Sequence, residues 1–255
     1  MSERLDSVWQ ELNSRAVTLQ QEGKYAEGVD VAKKALQVAS KSFGTDHPTV
    51  AIALNNLAEL YRSWGNYSEA EPLYKRCLAI WEKALGPDHP DAATALNNLA
   101  LLYWSQGNYS EAEPLYKRCL AIWEKALGPD HPDVATALNN LAGLYVSQGK
   151  SAEAESLYKL SLEILENTLG SDHPNVALSL HNRSGLYMAE GKYAEAEALY
   201  KQSLAVWEKA LGPDHPNIAT SLNNLVELYK RMGKKEEAST LEDRAKKIQS
   251  QSQDR

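Results

Sequence analysis

The sequence lacks an apolar run long enough to cross a membrane. A transmembrane helix needs roughly 18 or more consecutive apolar residues, and no stretch of this chain approaches that length. The first residues, MSERLDSVWQEL, also lack the apolar segment of a secretory signal. We therefore expect no membrane partner and a cytoplasmic location.

Basic residues are too few for a surface that attracts nucleic acid over long distances. Lys and Arg number 27 against 34 Asp and Glu, which gives a formal net charge of −7. Proteins that bind nucleic acid neutralise its phosphates mainly with Lys and Arg. The acidic balance therefore predicts that the partner is neither nucleic acid nor an anionic membrane.

Cysteine is scarce, and its spacing argues against a disulfide. Cys77 and Cys119 lie 42 residues apart at equivalent places in a repeat. Equivalent residues of stacked helical units are about 10 Å apart or more, whereas a disulfide needs Cα atoms within about 7 Å. We expect two small, buried, apolar side chains.

Catalytic and metal-binding motifs are absent as well. The sequence has no glycine-rich phosphate loop, no H-E-x-x-H, no C-x-x-C and no G-x-S-x-G. Five histidines recur every 42 residues in D-H-P loops, about 10 Å apart by the same estimate, whereas zinc ligands lie about 2 Å from one ion. We predict a protein that is not an enzyme and has no metal or cofactor. The loop histidines instead help to close turns: His47, His89, His131, His173 and His215.

What the sequence does contain is a 42-residue repeat. Two series of glycines keep this period, one from Gly23 to Gly233 and the other from Gly44 to Gly212. Two glycines per period indicate two helices per unit. One stretch, NYSEAEPLYKRCLAIWEKALGPDHPD, occurs identically at 66–91 and 108–133.

Each unit reads as two helices, which we call A and B. From Pro90 to about Gln106, apolar residues follow the i, i+3, i+4, i+7 spacing of one helix face. Gly107 ends this A helix, and Asn108 begins an N-x-x-E pattern that predicts a capping box for a B helix running to about Leu127. Pairs of Glu and Lys at i, i+4 favour the B helices: Glu71–Lys75, Glu113–Lys117, Glu155–Lys159 and Glu197–Lys201.

The loop LGPDHPD then closes the unit. Gly128 is predicted to end helix B in a left-handed conformation. His131 precedes proline and is pushed out of helical geometry, and Pro132 suits the first position of the next A helix. The motifs LNNLA-x-LY, Y-x-EAE-x-LYKR and LG-x-DHP resemble the tetratricopeptide repeat of the kinesin light chain type.

This resemblance implies an all-α fold, a right-handed α-solenoid of antiparallel helix pairs with about 12 helices. We expect a single solenoid over 1–249 and a disordered tail over 250–255. The expected units are 3–43, 48–85, 90–127, 132–169, 174–211 and 216–248.

Paired asparagines recur in the A helices, offset from the apolar stripe. In a stacked solenoid of this type the A helices line the concave face, so the amides form a ladder there. Carboxamides both donate and accept hydrogen bonds and can hold the main chain of an extended peptide. Alternatively, one member of each pair bonds the neighbouring unit and fixes the stacking. With His181 replacing one amide, the ladder consists of Asn55, Asn56, Asn97, Asn98, Asn139, Asn140, Asn182, Asn223 and Asn224.

One turn further along each A helix the residues vary between repeats, which suits ligand selection. Leu101 and Trp104 are the candidate apolar contacts, since tryptophan is enriched at binding hot spots. Gly143 and Gly185 are each unfavourable inside a helix by roughly 1 kcal/mol. A close approach of a ligand or a helix would explain them.

The segment HNRSGLY departs from the pattern, because Arg183 and Ser184 replace apolar residues in the buried stripe. Arg183 either extends to solvent, pairs with an acid, or loosens this unit. We hypothesise a weak point here, visible as faster hydrogen exchange over 174–190.

These patterns predict a protein–protein interaction module that binds an extended peptide or a partner helix in the concave groove, with a monomer favoured. The resemblance implies ligands with an aromatic residue flanked by acids. Basic residues on the A-helix face are sparse, which puts an acidic ligand in doubt: Arg62, Arg183, Lys230 and Arg231. The alternatives are a structural spacer or self-assembling scaffold, and a regulatory array of a larger multidomain protein.

Overall fold

The computed structural model describes residues 2–253, which form twelve α-helices and no strands. The helices make two compact units, Met1–Pro129 and Asp130–Arg255. The first unit contains α1 (Ser2–Gln21), α2 (Tyr25–Phe43), α3 (Pro48–Ser63), α4 (Tyr67–Leu85), α5 (Pro90–Ser105) and α6 (Tyr109–Leu127). The second contains α7 (Pro132–Ser147), α8 (Ser151–Leu169), α9 (Pro174–Ala189), α10 (Tyr193–Leu211), α11 (Pro216–Arg231) and α12 (Lys235–Gln253).

The predicted all-α repeat architecture is confirmed. Odd-numbered helices are the A helices and even-numbered helices the B helices, as the glycine spacing indicates. The single array expected over 1–249 stays a prediction. Of the expected tail at 250–255, residues up to Gln253 belong to α12, and 254–255 lie outside the described residues.

Each A helix packs against its own B helix, and each B helix packs against the A helix that follows within the same unit. Alanines lie where the two helices of a pair cross, so the backbones approach closely. Ala58 of α3 and Ala70 of α4 are fully buried in one such core, and Ala142 and Ala154 are buried in the equivalent core of the second unit.

Each A helix ends at a glycine with a positive φ. At the end of α5 the Gly107 N–H donates to Trp104 O at 2.9 Å, and the Asn108 N–H donates to Tyr103 O at 2.8 Å. This pair of bonds is the Schellman motif, which satisfies carbonyls that the helix end would leave unpaired. The turn is therefore short, and the chain reverses direction into the B helix.

The predicted capping box of the B helices is wrong. Asn66 and Asn108 are the N-cap residues of α4 and α6, but neither side chain caps its helix. An N-cap residue normally has β-region dihedrals, whereas Asn108 has φ −83° and ψ 67°. Its backbone is held by the Schellman motif, and its amide nitrogen donates instead to Gln106 Oε1 at 3.2 Å.

The loop histidines cap the A helices. His89 has the extended backbone predicted for a residue before proline, and Pro90 begins α5. The His89 Nδ1 accepts a hydrogen bond from the Asp91 N–H at 3.2 Å. The same geometry recurs at His47, His131 and His173. Each imidazole therefore takes the role that an N-cap Ser or Asp usually has.

The glycine before each histidine loop has a different conformation from the one predicted. Gly128 has φ 93° and ψ 154°, so its φ is positive but its backbone is extended rather than left-handed helical. This region is essentially restricted to glycine. Replacement of Gly128 by any other residue would therefore strain the turn.

Neither cysteine forms a disulfide, and both are buried, as expected. Burial raises the pKa of the Cys77 thiol to about 12, which keeps it protonated and unreactive. None of the helices in residues 2–253 combines the length and the apolar character needed to cross a membrane. Those residues also contain no cluster of three or more metal-ligating side chains.

Candidate functional site

The asparagines form an intramolecular amide ladder in the first unit. The Asn98 Nδ2 of α5 donates to the Asn55 Oδ1 of α3 at 2.8 Å. The Asn56 Nδ2 of α3 donates to the Asn13 Oδ1 of α1 at 2.7 Å. The second amide of each pair therefore bonds the first amide of the preceding A helix, 43 residues earlier. We call this contact between consecutive A helices a joint.

Asn13 is a ladder residue that the sequence analysis missed. It lies in the divergent helix α1, which lacks the LNNLA run, but it stands 42 residues before Asn55. The period alone could have identified it.

In the second unit the ladder is only partly formed. The Asn224 amide of α11 lies 2.8 Å from the His181 Nε2 of α9, so the imidazole replaces the accepting amide. Burial lowers the pKa of His181, which keeps the ring neutral and able to accept. Between α9 and α7 the equivalent bond would join Asn182 to Asn139. The Asn139 Oδ1 is buried and has no hydrogen-bond partner in the described part of the chain.

Exposure differs among the predicted site residues. Asn97 and Asn139 expose only 9% and 7% of their surface, so they offer little to a ligand. Asn223 is exposed. The other predicted residues are half-buried: Asn55, Asn56, Asn98, Leu101, Trp104, Asn140, Asn182 and Asn224.

Two exposed apolar side chains extend this face, and the sequence analysis missed them. Ile52 and Leu178 expose 39% and 45% of their surface. Each lies four residues before a ladder asparagine, one turn earlier on the same helix face. Ile52 borders a cleft of about 140 Å³ that Asn55 and Thr94 also line. The equivalent position in α5, α7 and α11 is threonine. This difference between the repeats could have identified Ile52 and Leu178 from the sequence.

In α3 a charged cluster forms around Glu59, which is one of the residues that vary between repeats one turn after the asparagines. The Tyr74 hydroxyl of α4 donates to the Glu59 carboxylate of α3, which also pairs with Arg62. Tyr74 is fully buried. Burial and the Glu59 carboxylate raise the pKa of Tyr74, so the phenol stays protonated and acts as the donor.

The four basic residues of the A-helix face all have acidic neighbours. Arg62 pairs with Glu59. Lys230 lies 3.3 Å from Glu242, and the Arg231 Nε lies 2.9 Å from Glu227. The fourth, Arg183, lies near Glu155. A ligand carboxylate would therefore compete with acids already in place.

Arg183 pairs with an acid, one of the three outcomes considered for it. Its Nη2 donates to the Tyr187 hydroxyl at 2.8 Å and lies 3.9 Å from Glu155. The Arg183 Nε, however, is buried and has no partner among residues 2–253. The neighbouring Ser184 is fully buried and donates to Leu180 O at 2.7 Å.

A second set of bonds fastens B helices to the A helices that follow. The predicted Glu–Lys pairs are confirmed, with nitrogen–oxygen distances of 2.6 to 2.7 Å. Three of these glutamates also accept from a tyrosine of the next A helix. The bonds are Tyr103 to Glu71 at 3.0 Å, Tyr187 to Glu155 at 2.8 Å and Tyr229 to Glu197 at 3.1 Å.

The sequence profile of the tetratricopeptide repeat matches residues 11–83, 65–125, 91–167, 138–187 and 175–251. The chain belongs to the tetratricopeptide repeat family. Arrays of this family are typically protein-interaction scaffolds rather than enzymes. No match to the chain was found among curated proteins.

Several solved structures resemble the chain over most of its length. A putative kinesin light chain from Podosopora anserina, with nearly identical TPR-like repeats, is 29% identical and covers 83% of this chain and 98% of its own, with a TM-score of 0.63. BtubC (BKLC) from P. vanneervenii is 25% identical over 91% of this chain and 90% of its own, with a TM-score of 0.67. A Rap protein complexed with competence and sporulation factor shares the fold at 17% identity, over 97% of this chain and 76% of its own, with a TM-score of 0.69.

Proposed function

We propose that this tetratricopeptide array binds an extended peptide of a partner protein along the face of its A helices. The observation that carries the proposal is a half-buried row of amides beside exposed apolar side chains, with Asn56, Asn98 and Asn224 oriented by ladder bonds. The ladder bond consumes one hydrogen of Asn98 Nδ2 and one lone pair of Asn55 Oδ1. A carboxamide has two N–H groups and two acceptor lone pairs, so groups remain for a peptide main chain.

The apolar contacts would come from Ile52 and Leu101 in the first unit and from Leu178 in the second. Ile52 borders the cleft beside Asn55, and Leu101 lies three residues after Asn98 on the same helix face. An extended peptide places alternate side chains on one side, so it can bond the amides with its main chain and bury apolar side chains.

The charges favour a ligand without acidic flanks. Arg62, Lys230 and Arg231 each have a carboxylate partner within the chain. An acidic ligand would need to displace those partners while the chain itself carries a net charge of −7. We therefore favour a neutral, partly apolar peptide over the acid-flanked motif that the kinesin light chain resemblance implies.

The test is a selection of random peptides, each about twelve residues long, displayed on phage against the full chain. The affinity of the selected peptides is then measured by fluorescence anisotropy. The double variant Ile52→Asp, Leu178→Asp should lower affinity at least tenfold, because burial of one aliphatic side chain contributes about 1.5 kcal/mol or more. One change lies in each compact unit, so peptides bound to either unit are detected.

The matched control changes exposed aliphatic residues of B helices instead. Leu85 and Leu160 expose 43% and 45% of their surface, close to the values of Ile52 and Leu178. The double variant Leu85→Asp, Leu160→Asp should bind peptide normally. Equal losses in the two double variants, or a failure to select any peptide, would contradict the proposal.

A further inference from the structure

We propose that α9 carries a peptide subsite, formed by Leu178, Asn182 and the gap at Gly185 above the Tyr200 hydroxyl, that receives a neutral carbonyl group of the ligand. The subsite rests on the proposed peptide-binding function and deepens it. Three features that no other A helix among the described residues combines carry it.

The three subsite residues lie on one face of α9. Leu178, Asn182 and Gly185 are spaced i, i+4 and i+7, which is one stripe of a helix. Leu178 is 45% exposed, and the other two are half-buried. Seven residues of helix span about 10 Å, which matches about three residues of an extended peptide.

Asn182 is a ladder asparagine whose side chain makes no bond to the preceding A helix. Within residues 2–253 its side chain has no hydrogen-bond partner, and the Asn139 Oδ1 that the pattern assigns to it is buried and unpaired there. The equivalent Asn98 is fixed to Asn55. The Asn182 carboxamide can therefore offer its donors and its acceptor to a peptide bond of the ligand.

The Tyr200 hydroxyl of α10 lacks an oxygen acceptor among the described residues. Tyr200 is 4% exposed, and the hydrogen-bond partner that it has is the Met188 Sδ at 4.0 Å. Thioether sulfur is a weak acceptor. Of its equivalents in the first unit, Tyr74 donates to the Glu59 carboxylate, whereas the Tyr116 hydroxyl, where Leu101 replaces that glutamate, has no partner among the described residues. Tyr200 is therefore a buried donor whose natural type of partner is missing.

Gly185 leaves the space in which that partner would lie. It occupies the repeat position of Glu59, 126 residues later. A Cβ built on Gly185 would lie 3.8 Å from the Tyr200 Oη. No other atom of the described residues outside α9 would lie within 4 Å of it. A ligand oxygen placed over Gly185 can thus accept from the phenol, as Glu59 does in the first unit.

The surroundings of Tyr200 suit a neutral oxygen rather than a carboxylate. Met188 stands at the repeat position of Arg62, so the cation that balances Glu59 has no counterpart here. The His181 ring packs edge-on against Tyr200 at 5.2 Å, and its burial favours the neutral form. Arg183 is engaged with Tyr187 and Glu155. An unpaired, partly buried carboxylate would be strongly unfavourable.

The test uses the phage-selected peptides and two variants of the full chain. Tyr200→Phe removes only the donor, and we expect affinity to fall five- to tenfold while the urea midpoint is unchanged. Gly185→Gln supplies an acceptor from within the chain, and we expect at least a twentyfold loss of peptide affinity with the fold retained. The matched control Tyr74→Phe should lower the urea midpoint, because it breaks the bond to Glu59, and should leave peptide affinity unchanged.

The outcomes separate this inference from the function on which it rests. Suppose that Tyr200→Phe and Gly185→Gln bind peptide normally while the double variant Ile52→Asp, Leu178→Asp loses affinity. That result would overturn the subsite and leave the proposed peptide binding intact. Failure to select any peptide would overturn both. Two synthetic peptides, with Gln or Glu at the position that contacts Tyr200, test whether the subsite prefers a neutral oxygen to a carboxylate. The Gln peptide should bind at least tenfold more tightly, and a tighter Glu peptide would overturn the neutral assignment.

Discussion

The joint between α3 and α5 is closed by hydrogen bonds, whereas the joint between α7 and α9 contains an unpaired buried acceptor. In the first, Asn98 donates to Asn55. Beside it, within the helix pair α3 and α4, Glu59 accepts from the Tyr74 hydroxyl. In the second, the Asn139 Oδ1 has no partner within the described chain. A buried polar group left unpaired costs about 1–3 kcal/mol. The same repeat thus builds one joint for stacking and another that retains unused hydrogen-bonding groups.

This difference separates two uses of one sequence pattern. A joint whose amides bond each other gains rigidity and has fewer groups left for a ligand. A joint with unpaired groups is less stable, but a ligand that pairs them recovers the lost hydrogen bonds. The faster hydrogen exchange predicted over 174–190 agrees with this comparison and stays a prediction.

The largest effect should follow from loss of the Glu59 carboxylate, which joins α3 to α4 beside the closed joint. Glu59→Ala leaves the fully buried Tyr74 hydroxyl without an acceptor and Arg62 without its carboxylate. Arg62 and Glu59 are partly exposed, so we expect a loss of about 2–3 kcal/mol in the free energy of unfolding. Urea denaturation followed by circular dichroism measures it. Glu124→Ala, which removes an exposed glutamate of α6, should change stability by less than about 0.5 kcal/mol. Equal losses of stability in Glu59→Ala and Glu124→Ala would show that the bonds of Glu59 do not stabilise the fold.

A pH titration should reveal the contact that holds α11 to α10. Hydrogen bonds from Lys201, then Lys234 and Tyr229, lower the pKa of Glu197 from 4.5 to about 2. Because the folded pKa is the lower one, this stability is fully present above pH 4.5 and is lost as pH falls toward 2. The two lysines are solvent-accessible, so we expect about 1–2 kcal/mol.

The matched variant for this titration is Glu197→Gln. It should be less stable than the wild type at pH 7, and its stability should depend less on pH between 4.5 and 2. Urea midpoints measured at several pH values provide the comparison. An unchanged pH profile in the variant would show that Glu197 does not hold α11 to α10 through its charge.

The helix pairs could be predicted from the sequence because local residue patterns specify where each helix begins and ends. Pro90 after His89, the apolar stripe and the glycine at each turn indicate helix ends without any tertiary knowledge. The capping box failed for a local reason as well. Asn108 belongs to a Schellman turn, whose dihedrals direct its side chain away from the helix that follows.

The ladder could not be predicted in detail because it depends on how one pair rotates against the next. Asn98 bonds a residue 43 positions earlier, one more than the repeat length, and only the three-dimensional offset of α5 from α3 determines this. The offset of α9 from α7 likewise decides that the Asn139 Oδ1 is left without a partner among the described residues. The pairing of Glu197 with Tyr229 likewise joins two helices whose contact no local pattern specifies.

The comparison of joints can be tested directly with equivalent asparagines. Asn98→Ala removes the donor to Asn55 and should lower the free energy of unfolding by about 1 kcal/mol. Asn182→Ala removes an amide that makes no such bond, so its effect should be close to zero. Hydrogen exchange should accelerate in α5 of the first variant and remain unchanged in α9 of the second. Equal losses of stability would show that the two joints do not differ.

The smallest effect should come from filling the space between Gly185 of α9 and Tyr200 of α10. Glycine inside a helix is unfavourable by up to about 1 kcal/mol relative to alanine. A Cβ at Gly185 would make only an ordinary contact at 3.8 Å, so Gly185→Ala should stabilise the chain by about 0.5–1 kcal/mol. Gly28 of α2 gives the opposite case, because its Cβ would lie 2.7 Å from the buried Leu60 Cδ2. Gly28→Ala should therefore lower the melting temperature while Gly185→Ala raises it. A lower melting temperature in Gly185→Ala would mean that the space above Tyr200 is needed for packing rather than left open for a ligand.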